Sequence, residues 1–169
     1  ETFLFSDTIG NNIAFGTFGS GEHTNQEEIQ AAAENAVVHD NIMGFTQNYD
    51  TMVGERGVTL SGGQKQRISI ARALLKQPEI LVFDDCLSAV DVDTEEKILR
   101  NLKRIMQDRT TIIISHRIST IKHADNILVL DNGKIIESGS HKELVTKNGT
   151  YADLHEKQKL EGNSDSNTN

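Results

Sequence analysis

The run Ile80-Leu81-Val82-Phe83, stopped by Asp84 and Asp85, constrains the fold more than any other stretch of this chain. A continuous apolar run is the mark of a strand buried on both faces. Helices flank it on either side. Before it, Ile68, Ala71, Leu74 and Leu75 keep helical spacing in a segment predicted from Gly62 to Lys76, and Pro78 ends that helix. After it, Asp91 or Asp93 caps a helix running to about Gln107, with Ile98, Leu99, Leu102, Ile105 and Met106 inward. Thr111 to Ser115 reads as a second buried strand. A short helical turn then leads to a third strand over Asn126 to Leu130, and Asn132-Gly133 turns the chain back through Lys134 to Glu137. Strand, helix, strand, helical turn, strand predicts an α/β fold with a largely parallel sheet. Ligands of such sheets bind beyond the carboxyl ends of the strands, so the polar residues at those ends are the candidates for chemistry.

The remaining segments are read more coarsely. Phe3 to Phe18 predicts extended segments and turns, followed by a loop marked by Gly16, Gly19 and Gly21. Thr24 with Glu27 three residues on is a capping box, opening a helix from Gln26 to Met43 with Ile29, Ala32, Ala33, Ala36 and Val37 on one face. Gly44 to Thr59 reads as loop. Leu144 and Tyr151 to Lys159 suggest two short closing helices, and Glu161 to Asn169 is expected to be disordered. The 169 residues suffice for one domain with a core. A net charge of −8 with scattered Lys and Arg argues against nucleic acid as the partner. The single Cys86 excludes an internal disulfide and suits a small filler in a reducing compartment. No apolar run approaches the roughly 18 residues of a spanning helix. His23, His39, His123, His141 and His155 show no metal-ligand spacing. Phe3, Phe5, Phe15 and Phe18 read as core or domain-interface residues rather than a base-stacking platform.

Three short motifs carry chemistry. In Leu60-Ser61-Gly62-Gly63-Gln64, a serine and two glycines precede a helix. Backbone N–H groups at a helix N-terminus lack intrahelical partners and the helix dipole favours negative charge there, which makes an anion site. Glycine allows close backbone approach to a phosphate, and the Ser61 hydroxyl adds a donor. Asp84 and Asp85 end an apolar strand, the pattern in which one carboxylate holds Mg²⁺ through water and the next orients an attacking water. A turn or helix cap is the plainer role for such acids, and Asp91 suits that role as well. In Ser115-His116-Arg117, His116 ends the second strand, where it could donate to a γ-phosphate oxygen or simply lie at the surface.

In order, Leu60 to Arg67, Ile80 to Asp85, Ser88-Ala89-Val90-Asp91 and Ser115-His116-Arg117 resemble the signature, Walker B, D-loop and H-loop of ATP-binding cassette (ABC) ATPases. The likeness covers about residues 1–160. It implies a P-loop NTPase-like α/β fold with a mostly parallel sheet, a helical signature subdomain at about 22–77 and a Walker B to C-terminal core at about 78–160. It implies ATP and Mg²⁺ as ligands, and ATP sandwiched head to tail between two such domains. Leu60, Ser61, Gly62, Gly63 and Gln64 would then serve the partner domain's ATP, whereas Asp84, Asp85 and His116 serve this domain's own. Thr51 to Gly57, including Glu55-Arg56-Gly57, resembles the exporter loop that touches the membrane domain. Glu1 to Gly16 resembles the exporter stretch after the Q-loop glutamine. The membrane-spanning domain and a second nucleotide-binding domain are the implied partners, at the cytoplasmic face of the membrane.

Two departures stand out. No G-x-x-x-x-G-K-S/T run occurs in the 169 residues. In the family that P-loop, the adenine-stacking aromatic and the Q-loop glutamine precede the stretch resembling residue 1, so the chain is expected to be the C-terminal part of such a domain. Asp85 stands where most of the family has glutamate, a pattern similar to exporters built as heterodimers. This leaves three functional readings: an exporter ATPase; a regulatory half that binds ATP and hydrolyses little; or a soluble ABC ATPase of repair or translation, against which the acidic balance and the Glu55-Arg56-Gly57 loop argue.

Overall fold

The computed structural model describes residues 2–17, 24–54, 57–107 and 109–165. It divides into two compact units, residues 1–112 and 113–169.

The first unit is mainly helical. Helix α1 (Ile9–Ala14) starts at Thr8, whose hydroxyl accepts from the Asn11 N–H. Helix α2 (Gln26–Asn35) opens with a capping box, but the pair is Asn25 and Glu28 rather than Thr24 and Glu27. Thr24 is engaged elsewhere, its hydroxyl pairing with that of Thr17. The single helix predicted to Met43 is two. Helix α2 ends at Asn35, Val37 takes φ 54°, and α3 (His39–Met43) resumes. Positive φ is uncommon for a β-branched residue, and the Arg67 guanidinium donates to the Val37 carbonyl there. Helix α4 (Gly62–Leu75) follows the sequence closely, burying Ile68, Ala71 and Leu74 together with Ile70.

Strand β1 (Ile80–Asp84) departs from expectation. It alternates, with Leu81 and Phe83 buried while Ile80 and Val82 are 61% and 59% exposed. Strand β2 (Thr110–Ile114) behaves alike, with Ile112 and Ile114 about half exposed. Composition made both strands fit for burial on two faces, but burial needs a covering layer, and one face of each has none among the described residues. Between the two strands, α5 (Val92–Met106) is capped by Asp91, whose carboxylate accepts from the Thr94 N–H at 2.9 Å. Its inner face carries Ile98 and Leu102 and also Glu95, which is 1% exposed.

The described strands form two pairs, β1 with β2 and β3 (Ile127–Asp131) with β4 (Lys134–Gly139), rather than one continuous parallel sheet. The β3–β4 pair is an antiparallel hairpin. Asn132 and Gly133 at φ 47° and 74° make its turn, as the Asn-Gly dipeptide predicts. The rest of the second unit is α6 (Ile118–Ile121), α7 (His141–Thr146) and α8 (Thr150–Asp165). Ile118, Ile127, Leu144 and Tyr151 form its core. Helix α8 is longer than the short closing element expected and carries the helix past Glu161 to Asp165; residues 166–169 lie outside the described residues. The Glu137 carboxylate accepts from the Thr150 and Tyr151 N–H groups at 2.6 and 3.4 Å, anchoring the start of α8 to β4.

Candidate functional site

The signature run is the N-terminus of α4. Leu60 is buried and anchors the turn, while Ser61 and Gly62 are exposed. Ser61 is the N-cap: its Oγ accepts from the Gln64 N–H at 3.2 Å, and the Gln64 Oε1 accepts from the Ser61 N–H at 2.9 Å. This capping box takes two of the orphan donors of the turn. It also settles what Ser61 can do. A hydroxyl that accepts through one lone pair keeps its proton to donate. The first-turn N–H groups of Gly62 and Gly63 have no acceptor within an α-helix. A serine O–H and two adjacent N–H groups at the positive end of a 14-residue helix suit an oxyanion.

The D-loop run sits beside this turn. A Cβ on Gly63 would lie 2.7 Å from the Ala89 carbonyl oxygen, and one on Gly62 would lie 3.3 Å from the Ala89 Cβ. The glycines therefore serve close packing as well as any ligand. Gln66, one turn into α4, bonds the D-loop at two points. Its Nε2 donates to Ser88 Oγ at 3.0 Å and its Oε1 accepts from the Ala89 N–H at 3.0 Å. Val90 is buried beneath, and Asp91 leaves the loop as the cap of α5. Hydrogen bonds from Thr94 hold the Asp91 carboxyl below the usual carboxylate range, with the Arg67 charge adding a smaller pull. Arg67 ties the other side of the turn: Nε donates to the Gly63 carbonyl at 3.2 Å, and Nη1 reaches Asn41 Oδ1 at 2.9 Å.

Asp84 ends β1 and Asp85 follows with φ 45°, both exposed. The Asp85 carbonyl accepts from Ser88 Oγ at 3.0 Å. The exposed donors at this strand end are hard oxygens. Mg²⁺ takes one or two carboxylates and completes its shell with water and phosphate oxygens. Among the described residues no three His, Cys, Asp or Glu side chains gather as a metal cage; the adjacent exposed carboxylates of Asp84 and Asp85 are of the number and type that such an ion accepts. Cys86 beside them is half buried. Burial, then the charges of Asp85, Asp84 and Glu95, push its thiol up to about 11, which suits a filler and not a nucleophile.

In the second unit, His116 is exposed on the loop after β2. Gln158 of α8 fixes the backbone around it, donating to the His116 carbonyl at 2.6 Å and accepting from the Ile118 N–H at 2.8 Å. Neither Gln66 nor Gln158 was a sequence-level candidate. A mid-helix glutamine carries no local signal, since its partners lie 22 to 42 residues away.

The two stretches read as exporter-like touch. The Val53 N–H donates to the Asp7 carbonyl and the Ile9 N–H to the Thr51 carbonyl, each at 3.0 Å. Gly54 has φ 105°, and a Cβ there would meet Ser6 Oγ at 2.5 Å. Gly57 folds back on the same loop, where a Cβ would meet the Met52 carbonyl at 2.1 Å. Glu55 and Arg56 lie outside the described residues.

The family model described as "ABC transporter" matches residues 3–88, a span that contains the signature turn, the strand-end acids and the start of the D-loop. The chain belongs to the ABC transporter family. Among curated family members, the Multidrug resistance-like ATP-binding protein MdlA of Escherichia coli is 53% identical over 94% of this chain and 26% of its own length. ATP-binding cassette sub-family B member 6 of Rattus norvegicus is 47% identical over 94% of this chain and 18% of its own. A solved bacterial Atm1-family ABC exporter, determined with ATP bound, matches with a TM-score of 0.86 at 48% identity, over 93% of this chain and 27% of its own. The chain thus spans between 18% and 27% of these family members.

Proposed function

We propose that this chain works as part of the ATP-binding and ATP-hydrolysing domain of an ABC exporter, coupling ATP-driven dimer closure to efflux across a membrane. The observation that carries the reading is the α4 N-terminus. Its exposed Ser61 and Gly62 present a hydroxyl and helix-end N–H groups, and Gln66 braces the turn from behind. Such a donor array suits the terminal phosphate of a nucleotide held mainly by a second domain. Signature residues Leu60 to Gln64 would act on the partner domain's ATP, and Ser88 to Asp91 would lie along the dimer seam. Asp84 would hold Mg²⁺ through water, an ion that neutralises phosphate charge when bound. Asp85 would orient the attacking water and His116 would donate to the γ-phosphate. The helical subdomain at about 22–77 and the core at about 78–160 would divide these tasks. Glu55-Arg56-Gly57 would meet the membrane-spanning domain, placing the chain at the cytoplasmic face of the membrane. The relatives named for multidrug export support this class of transporter.

Asp85 favours a second reading, a regulatory half that binds ATP and hydrolyses little. Its carboxylate is one methylene shorter than glutamate, set back by about 1.5 Å, and a shift of that size costs on the order of a hundredfold in rate. One experiment separates the readings: ATP turnover by the full-length subunit in lipid, alone and with its genomic neighbour, with and without Asp85→Glu. Robust turnover alone, not raised by the substitution, supports the working ATPase. Turnover only with the neighbour, raised by Asp85→Glu, supports the regulatory half. No turnover in either setting overturns the ATPase reading.

A further inference from the structure

The Gln66 contacts form a directional relay. The Gln66 amide N–H donates to Ser88 Oγ at 3.0 Å, and the Ser88 hydroxyl donates in turn to the Asp85 carbonyl at 3.0 Å. The other end of the same amide accepts from the Ala89 N–H at 3.0 Å. Gln66 is half buried and lies one helical turn beyond Gly62 and Gly63, which pack directly on Ala89. Asp85 itself has φ 45°, a conformation that aspartate tolerates better than most residues, and the Ser88 hydroxyl holds its carbonyl there. We propose that Gln66 is a positioning residue that locks the backbone of Asp85 to the Ser61–Gln64 turn, so that a nucleotide engaged by that turn sets the position of Asp85. The proposal rests on the reading that Ser61–Gln64 and Asp85 both act on nucleotides. It adds a mechanical link between them inside one chain.

The amide is required because it both donates and accepts. A carboxylate of the same size accepts only. Gln66→Glu would keep the Ala89 bond but take the Ser88 hydroxyl proton for itself, drawing that proton away from the Asp85 carbonyl. Gln66→Leu would remove both bonds, and Ser88→Ala would remove the hydroxyl relay while leaving the Ala89 bond and the Ser88 N–H, which donates to the Asp85 carbonyl at 3.4 Å.

The test uses the full-length subunit in lipid, with its partner subunit where turnover requires one. The expected result is that Gln66→Glu and Ser88→Ala each lower kcat about tenfold with KM for ATP unchanged, the loss expected when a hydrogen bond that fixes a reacting group is removed. Because both act on one relay, the double substitution should lose no more than either single one. Amide exchange at Ala89 should stay slow in Gln66→Glu and speed up in Gln66→Leu; should Gln66→Leu fail to fold, Gln66→Glu carries the test. Full kcat in Gln66→Glu, or losses that multiply in the double variant, would overturn the proposal. Absence of turnover in the unsubstituted protein would instead overturn the ATPase reading, and the Ala89 exchange would still decide whether Gln66 clamps the loop.

Discussion

Single residues here are set by what they touch rather than by what they are. Tyr49 looks unremarkable in sequence, yet it is 7% exposed and its hydroxyl pairs with His39 Nδ1 at 2.8 Å. Burial, with the Glu34 charge adding to it, raises its pKa from 10.0 to about 12. The folded state therefore holds the Tyr49 proton more tightly than the unfolded chain does. That contribution to stability is complete below pH 10 and lost as pH rises from about 10 to 12. Tyr151, bonded to His141 in the same way, is raised for the same reason of burial. Thermal unfolding followed from pH 9 to 12 should show a falling midpoint in the unsubstituted protein and a shallower fall in Tyr49→Phe; equal slopes would deny Tyr49 this role. Asp91 shows the opposite balance. The sequence offered it as a D-loop residue and as a helix cap, and its bonds to Thr94 show the cap.

Elements are held together by a few polar hubs that local patterns do not announce. Arg72 of α4 donates to the Asn12 carbonyl at 2.7 Å, to Asn12 Oδ1 at 3.0 Å and to the Phe3 carbonyl at 3.1 Å. Its guanidinium also lies over the rings of Phe5 and Phe15, at 5.4 and 5.9 Å. Asn12, 1% exposed, returns bonds to the backbone of Phe5 and Thr8. This hub fastens residues 2–17 to α4, and Gly16 is part of it, since a Cβ there would sit 2.2 Å from the Arg72 carbonyl. The expectation that Phe3, Phe5 and Phe15 are core residues is met only in part: Phe5 is half buried, whereas Phe3 and Phe15 stay 65% and 44% exposed; Phe18 lies outside the described residues. Arg72→Ala should cost about 2 kcal/mol, the scale of losing charged hydrogen bonds to half-buried acceptors. Limited proteolysis should then cut the full-length protein within residues 2–17 well before any other site. Unchanged protection of that segment would show that the apolar contacts of α1 suffice.

For the molecule as a whole, the exposed half of each strand in the β1–β2 pair is an open apolar surface among the described residues. Ile80, Val82, Ile112 and Ile114 are each between 49% and 61% exposed. Apolar strand surface left open is a liability for aggregation. No P-loop motif lies in the 169 residues. The isolated 169-residue chain is therefore expected to bind a hydrophobic dye strongly and ATP only weakly. Tight ATP binding in calorimetry would mean that the signature turn and the strand-end acids suffice to hold a nucleotide by themselves.

What the sequence by itself determined lies within a few residues of its cause. Ser61 and Gln64 cap α4, Asp91 caps α5, Asn132-Gly133 makes the hairpin, and the spacing of Ile68, Ala71 and Leu74 sets the buried face of a helix. Caps, turns and helical periodicity act over one to four residues, so they can be read from the order of residues alone. The motif order also pointed to the family that the matches to known proteins show. Only the tertiary structure decided the break between α2 and α3, the alternating burial of β1, the 1% exposure of Glu95 and the partners of Gln66, Arg72 and Gln158. Each of these depends on which distant surface covers a residue. Contacts made 22 to 69 residues apart leave no trace in local spacing.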